Sequence, residues 1–198
     1  MELARVRTVI LGGGRSQRMG FDKLVAPFAG EPLGRRVARA LAELEPLFVT
    51  TPAVAALVRD VAGVHVVETP ATAGPSVTLA LANAAVTPDL YLAVTAADLP
   101  FLDAARVRAF VARAGDDADL AWPVVAGTPG HPVVWSPRAR AHIASLGDDD
   151  PPSVIRRRPE IRTAALDETD DAYVVDVDTP EAWIAAEARA RAGRRPAR

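Results

Sequence analysis

Thirteen residues near the amino terminus carry the densest chemistry of the chain: Leu11-Gly12-Gly13-Gly14-Arg15-Ser16-Gln17-Arg18-Met19-Gly20-Phe21-Asp22-Lys23. A buried-strand run, Thr8 to Leu11, ends in three glycines, and three cations follow within the next nine positions. Glycines let backbone N–H groups approach an anion closely, while Arg15, Arg18 and Lys23 can neutralise it. A nucleoside triphosphate suits that charge. Two better-known phosphate loops fail on spacing: G-x-G-x-x-G fits at Gly12 and Gly14 but meets Gln17 where its third glycine belongs. The Walker loop needs Lys and then Ser or Thr after a glycine, whereas Gly20 precedes Phe21 and Asp22. The missing third glycine counts against a nicotinamide-dependent oxidoreductase. A plain tight turn with solvated arginines is the other reading. Of the 23 basic residues 22 are Arg, and the single lysine, Lys23, falls inside this loop. Lysine is a compact point charge on a flexible stem and arginine a planar fork, so the two are not interchangeable at a crowded phosphate.

Two acidic segments add a metal chemistry. Thr95-Ala96-Ala97-Asp98-Leu99-Pro100-Phe101 directly follows the strand run Leu90 to Val94. A carboxylate at the carboxyl end of such a strand points into the ligand crevice and, beside a triphosphate, could hold Mg²⁺; its other reading is a turn initiator before Pro100. In Val175-Asp176-Val177-Asp178-Thr179-Pro180-Glu181, alternation puts Asp176 and Asp178 on one side of an extended segment. Asp178, nearest the following helix, is the candidate second Mg²⁺ ligand, and capping by Asp178 or Thr179 is the alternative. His131 either touches a second substrate or packs within a strand. Arg156-Arg157-Arg158 reads as a solvated face and Asp148 to Asp150 as a solvated turn. His65 and His142 join no ligand cluster, so zinc is not expected, and Ser16 has no neighbouring base to activate it.

The elements that must position these groups alternate strand and helix. Strands are expected at Thr8–Leu11, Leu47–Thr50, Val64–Glu68, Leu90–Thr95, near 119–125, at His131–Trp135 and at Tyr173–Val177. Helices are expected at Leu33–Leu44, about 52–60, 75–86, Asp103–Ala114, from Pro137, and from Thr179 with Pro180 in the first turn. This order predicts an α/β fold, a mostly parallel sheet with right-handed crossovers and helices on both faces, whose ligands sit beyond the carboxyl ends of the strands. The region 147–172 is acidic, proline-containing and less periodic and reads as an excursion on the substrate side or a partly mobile loop.

With 198 residues, 49% hydrophobic and 24% charged, the chain suits one globular domain, expected over 1–193 with a frayed basic tail at 194–198. The formal net charge of −2 provides no sequence-wide positive field for nucleic acid. The absence of cysteine removes disulfides, thiolate metal sites and cysteine nucleophiles. No apolar run approaches the roughly 20 residues of a membrane helix, and no secretory leader is visible, so a cytoplasmic protein is expected.

Read together, LGGGRSQRMGFDK at 11–23, AADLPF at 96–101 and DVDTPEAW at 176–183 resemble the molybdenum-cofactor nucleotidylyltransferases, within the wider family of sugar-phosphate-type nucleotidyltransferases. The resemblance spans nearly the whole chain, and its first motif is the specific one. It implies a Rossmann-like three-layer α/β/α nucleotidyltransferase fold. It implies nucleotide binding by Leu11, Gly12, Gly13, Gly14, Arg15, Lys23, Gly74 and Thr78, catalytic roles for Arg18, Lys23 and Asp98, and Mg²⁺ on Asp98 and Asp178. The implied reaction moves a nucleoside monophosphate from GTP or CTP onto the terminal phosphate of a molybdopterin-type acceptor that Gly130, His131 and Pro132 would touch. Leu11-Gly12-Gly13-Gly14, Asp22-Lys23 and Ala73-Gly74-Pro75 look like the guanylyl type, whereas Pro129-Gly130-His131-Pro132 resembles the cytidylyl type. Many cytidylyl members continue Gly-Asp-x-Gly-x-Arg, but here Gly147-Asp148 leads into Asp149, Asp150, Pro151 and Pro152. Other readings are the same fold acting on a different phosphate acceptor, or a nucleotide-binding protein without the chemistry. A monomer or weak homo-oligomer is expected, with no nucleic-acid or membrane partner.

Overall fold

The computed structural model describes residues 1–13 and 19–193. Its elements are β1 (Val6–Gly12), β2 (Pro27–Phe28), β3 (Glu31–Pro32), α1 (Leu33–Leu41), β4 (Leu47–Thr50), α2 (Pro52–Val58), β5 (His65–Glu68), α3 (Pro75–Ala84), β6 (Tyr91–Ala96), α4 (Ala104–Ala114), β7 (Leu120–Val125), β8 (Thr128–Pro129), β9 (Val133–Trp135), α5 (Pro137–Arg140), β10 (Thr163–Glu168) and α6 (Pro180–Ala192). The main sheet runs in the order β10-β7-β9-β6-β1-β4-β5. Strands β5, β4, β1 and β6 are parallel, β9 is antiparallel to both its neighbours, and β10 lies parallel to β7. Strand β8 folds back on β7 through Ala126 and Gly127, both at positive φ, the backbone shape a two-residue hairpin requires.

The central strands are apolar along their whole length because both faces are covered. Val9 and Ile10 of β1 are fully buried, and so are Phe48 and Val49 of β4, yet consecutive side chains enter different cores. Ile10 and Phe48 pack with Val37, Val54, Val107 and Phe110, under α1, α2 and α4. Val9 and Val49 pack with Leu79, Ala82, Ile143 and Ile155, under α3 and the short helices that follow β9. The three-layer α/β/α arrangement expected from the sequence is therefore present. Arg140 stitches the second layer: its guanidinium, nearly fully buried, donates to Asn83 Oδ1 (2.7 Å) and to the carbonyls of Val86 (2.9 Å) and Thr87 (2.7 Å), beyond the last turn of α3. It thereby satisfies helix-end carbonyls that water cannot reach.

Two expectations are corrected. The segment 147–172 contains β10, in register with β7 from Thr163 opposite Leu120 to Glu168 opposite Val125. As an edge strand it is only half-covered, with Thr163, Ala165 and Asp167 outward, so its sequence carries little apolar signal. Tyr173–Val177, in turn, is not a strand. The Asp170 carboxylate accepts from Ala172 N (2.9 Å), and Val174 N and Val175 N both return to Asp171 O (2.9 and 3.0 Å), so the chain turns where alternation predicted extension. The helix expected from Pro137 is one turn, α5. The segment 194–198 lies outside the described residues.

Candidate active site

The glycine loop leaves the carboxyl end of β1 between its two parallel neighbours, β4 and β6. Thr50 Oγ1 donates to Gly12 O (3.1 Å), and Ala97 N donates to Leu11 O (3.0 Å), which fixes the loop's take-off on both sides. At Gly13 any side chain would run into the Thr78 hydroxyl. Thr78 itself is fully buried and donates to Gly74 O (2.8 Å), one turn earlier at the start of α3, so it supports the loop from beneath rather than lining open space. Gly74 caps α3 beside the carbonyl of Asp148. Near this loop, Thr51 Oγ1 and Thr69 Oγ1, at the carboxyl ends of β4 and β5, are buried with no hydrogen-bond partner. Gly14, Arg15 and Arg18 lie outside the described residues.

Lys23 reaches the same end of the sheet from a compact turn. Asp22 Oδ1 accepts from Leu24 N (3.1 Å), Asp22 O accepts from Val25 N and Ala26 N, and Leu24 anchors the turn in the core. The Lys23 ammonium sits 2.6 Å from Asp98 Oδ2 and also contacts Asp178 Oδ1. Asp98 follows β6, and Asp178 directly precedes α6, whose cap is Thr179: its Oγ1 accepts from Ala182 N (3.2 Å). Thr179 thus takes the capping role and Asp178 turns to the lysine. Burial pulls the Lys23 pKa down, but the charge of Asp98 and the hydrogen bonds to Asp178 and Asp98 outweigh it, so the group sits above its ordinary value and stays charged.

The convergence of two carboxylates on one cation, from elements far apart in sequence, suits a hard divalent ion. Mg²⁺ and Mn²⁺ prefer oxygen donors, and Mg²⁺ is usually held by one or two carboxylates with phosphate oxygens and water completing its shell. The donor set Asp98 and Asp178 fits that pattern, and among the described residues no cluster of three His, Cys, Asp or Glu side chains offers a closed cage.

From this point a cavity of about 470 Å³ runs from the carboxyl ends of β1 and β6 down the sheet face that α3 covers. It brings Leu11, Gly13, Asp98, Gly130 and His131 together, and Gly130 N donates to Pro123 O (2.8 Å). His131 donates from Nδ1 to Val94 O (3.2 Å), since a carbonyl can only accept, which leaves Nε2 as the ring's acceptor. Burial lowers its pKa from 6.5 against the opposing pull of the Val94 carbonyl and the charges of Asp98 and Asp176. Pro132, joined to His131 by a cis peptide, is buried behind it.

Several wall residues carry no signal in the sequence. Trp122 and Trp135 line the cavity, and so does Arg156, whose guanidinium lies 5.5 Å from the Trp122 ring centroid. Arg156 is therefore not part of a solvated run. Arg158 also has partners, His142 Nδ1 (2.9 Å) and Ser145 Oγ (2.7 Å). A charge run gives no sign of which member turns inward, because the short 3₁₀ segment Pro152–Arg157 that aims them has no apolar period of its own. Asp148, Asp149 and Asp150 are exposed, as expected.

Comparison with known proteins gives a family and a fold. The family model of the MobA-like NTP transferase domain matches residues 8–164. No curated protein matches the chain in sequence. Among solved structures, the chain is similar to the homologue of Mycobacterium tuberculosis Rv0371c from Mycobacterium sp. strain JC1, with TM-score 0.78, 23% identity and coverage of 94% of this chain and 96% of that one. It is similar to Rv0371c of Mycobacterium tuberculosis H37Rv in complex with manganese, with TM-score 0.72, 21% identity and coverage of 96% and 100%. Molybdopterin-guanine dinucleotide biosynthesis protein A from Archaeoglobus fulgidus gives TM-score 0.74 at 16% identity, over 93% of this chain and 98% of that one.

Proposed function

This chain belongs to the family of MobA-like NTP transferase domains, and from that premise we propose that it is a divalent-metal-dependent nucleotidyltransferase that moves GMP, or alternatively CMP, onto a phosphate of a molybdopterin-type acceptor. The observation that carries the proposal is the meeting of Lys23 with Asp98 and Asp178 at the mouth of a cavity that begins at Gly13. In the reaction an oxygen of the acceptor phosphate attacks the α-phosphorus of the nucleotide, the new P–O–P bond forms, and the bond to the β-phosphate breaks with pyrophosphate leaving. A phosphate monoester is already ionised, so no dedicated base is required; positioning and charge neutralisation carry the catalysis.

In this reading the backbone amides of Gly12 and Gly13 border the triphosphate, and the motif resemblance adds Gly14, Arg15 and Arg18, which lie outside the described residues. Lys23, charged and buried, offsets the charge that develops as pyrophosphate departs. Asp98 and Asp178 would hold Mg²⁺ or Mn²⁺, which when bound supplies Lewis-acid neutralisation of phosphate oxygens. Support for a metal comes from the two-carboxylate donor set and from the manganese complex of Rv0371c. Support for the acceptor comes from the motif resemblance and from the Archaeoglobus fulgidus likeness. Gly130, His131 and Pro132 flank the acceptor side of the cavity, and Gly74 and Thr78 hold the loop on the nucleotide side. The preference for GTP rests on Leu11-Gly12-Gly13-Gly14 and Ala73-Gly74-Pro75.

The test is label transfer from [α-³²P]GTP and [α-³²P]CTP, each with Mg²⁺ and molybdopterin. The expected result is labelled dinucleotide and stoichiometric pyrophosphate, faster with GTP. Nucleotide binding without pyrophosphate release would instead identify a binding protein that lacks the chemistry.

A further inference from the structure

Helix α6 follows directly on Asp178, yet its own burial in the molecule is slight. Its buried residues are two alanines, Ala186 and Ala190, and of its large apolar side chains Ile184 is 68% exposed. The other, Trp183, packs against the core and meets two phenylalanines that stand on either side of Lys23 in the chain. The Phe21 ring meets it edge to face, with 5.7 Å between centroids and 89° between planes, and the Phe28 ring does so at 5.2 Å and 87°. Phe28 is fully buried, whereas Phe21 is 46% exposed. One turn further along α6, Glu187 Oε1 accepts from Ala29 N (3.0 Å). Positions 183 and 187 share a helix face, so α6 lies along the 21–29 segment as a splint. The Lys23 turn has an anchor of its own, because Leu24 is in the core and its carbonyl accepts from Gly34 N (2.9 Å). What Trp183 fixes is therefore the place of α6, and of Asp178 with it, relative to Lys23.

Resting on the transferase reading above, we propose that Trp183 is a positioning residue for the reaction: by clasping Phe21 and Phe28 it holds Asp178 against Lys23. The contact of Lys23 with Asp98 does not pass through α6, because Asp98 follows β6. Each edge-to-face pair biases an equilibrium by up to about tenfold beyond the area it buries. A helix that otherwise buries only alanines opens locally, without unfolding the domain, once such contacts are lost. In the opened form Asp178 leaves Lys23, and the ammonium loses that carboxylate and part of its cover. Phe21 is the outer half of the clasp and Phe28 the inner half. Removing Phe21 weakens the clasp, and removing Trp183 abolishes it.

The chain's single lysine provides the readout. The full-length protein, without metal or nucleotide, is acylated with the N-hydroxysuccinimide ester of acetic acid. Peptide mass spectrometry then compares Lys23 with the amino-terminal α-amine of the same molecules. The proposal predicts that Trp183→Ala raises the relative acylation rate of Lys23 by about tenfold, Phe21→Ala by about threefold and Trp183→Phe by less than about twofold. Ile143→Ala, in the core on the other face of the sheet, weakens the fold and leaves the Lys23 rate unchanged. A Trp183→Ala variant that is folded by circular dichroism and acylated at the wild-type rate overturns the proposal, as does an equal rise in Ile143→Ala. Should Trp183→Ala fail to fold, Phe21→Ala, altered at an exposed ring, decides on the same criterion. In the transferase assay Trp183→Ala lowers kcat of pyrophosphate release by about tenfold and Trp183→Phe restores it. Unchanged kcat in Trp183→Ala refutes the positioning role. If the wild type releases no pyrophosphate from any nucleoside triphosphate, the transferase reading fails on that result, while the acylation rates still decide whether Trp183 holds Asp178 to Lys23.

Discussion

At the scale of single residues the candidate site is an electrostatic arrangement of one ammonium and two carboxylates. A buried lysine facing two carboxylates is held charged, as its raised pKa records after burial has taken its share. His131 shows the opposite balance. Its pKa in the folded protein lies below 6.5, so between that value and the folded one the unfolded chain binds the extra proton and the folded chain does not. Stability is therefore intact above about pH 6.5 and is lost as the pH falls through the folded pKa. Denaturant unfolding from pH 7.5 down to 5 should show this loss, and His131→Gln should flatten that part of the profile; a wild-type stability that rises on acidification would contradict the assignment. Much of the residue chemistry was legible in the sequence: the single lysine, Asp98 after a strand and Asp178 before a helix. Their meeting is implied only by the motif resemblance, which puts one metal on Asp98 and Asp178; spacing does not give it, because 75 residues separate Lys23 from Asp98 and 155 separate it from Asp178.

At the scale of elements, the ends of strands and helices do the positioning. Thr179, the residue after Asp178, caps the first turn of α6. Thr179→Ala should cost about 1 kcal/mol of stability in denaturant unfolding and should also lower turnover, because the frayed first turn of α6 no longer holds Asp178 on Lys23. Thr179→Ser should restore both. The β1 exit makes a second prediction. Gly13→Ala would press its methyl against the Thr78 hydroxyl, so the loop must shift. The variant should retain its fold but lose the thermal stabilisation that Mg-GTP or Mg-CTP gives the wild type; an undiminished shift would remove this loop from the nucleotide site. The elements missed from sequence are those whose signal is weak for a physical reason. Edge strand β10 is half-covered and carries Thr, Ala and Asp on its outer side, while 173–177 has a strand's alternation but is turned by the Asp170 side chain.

At the scale of the whole molecule, the sheet order places β9, the one antiparallel strand of its main path among the described residues, between β6 and β7, and the cavity beyond β1 and β6 is walled by Trp122 and Trp135. The alternation of strand and helix predicted the layers correctly, because parallel strands buried on both faces must be apolar throughout. The crevice beyond β1 and β6 follows from that architecture, but its walls at Trp122, Trp135 and Arg156 do not, since β7, β9 and the 3₁₀ segment meet it only when the sheet is assembled. No helix among the described residues is long and apolar enough to cross a membrane. If nucleotidyl transfer occurs where Lys23, Asp98 and Asp178 meet, pyrophosphate release by Lys23→Ala is the decisive measurement. With GTP or CTP, Mg²⁺ and molybdopterin, turnover should fall by about 100-fold or more relative to wild type in a variant that is still folded by circular dichroism. Wild-type turnover in that variant would contradict it.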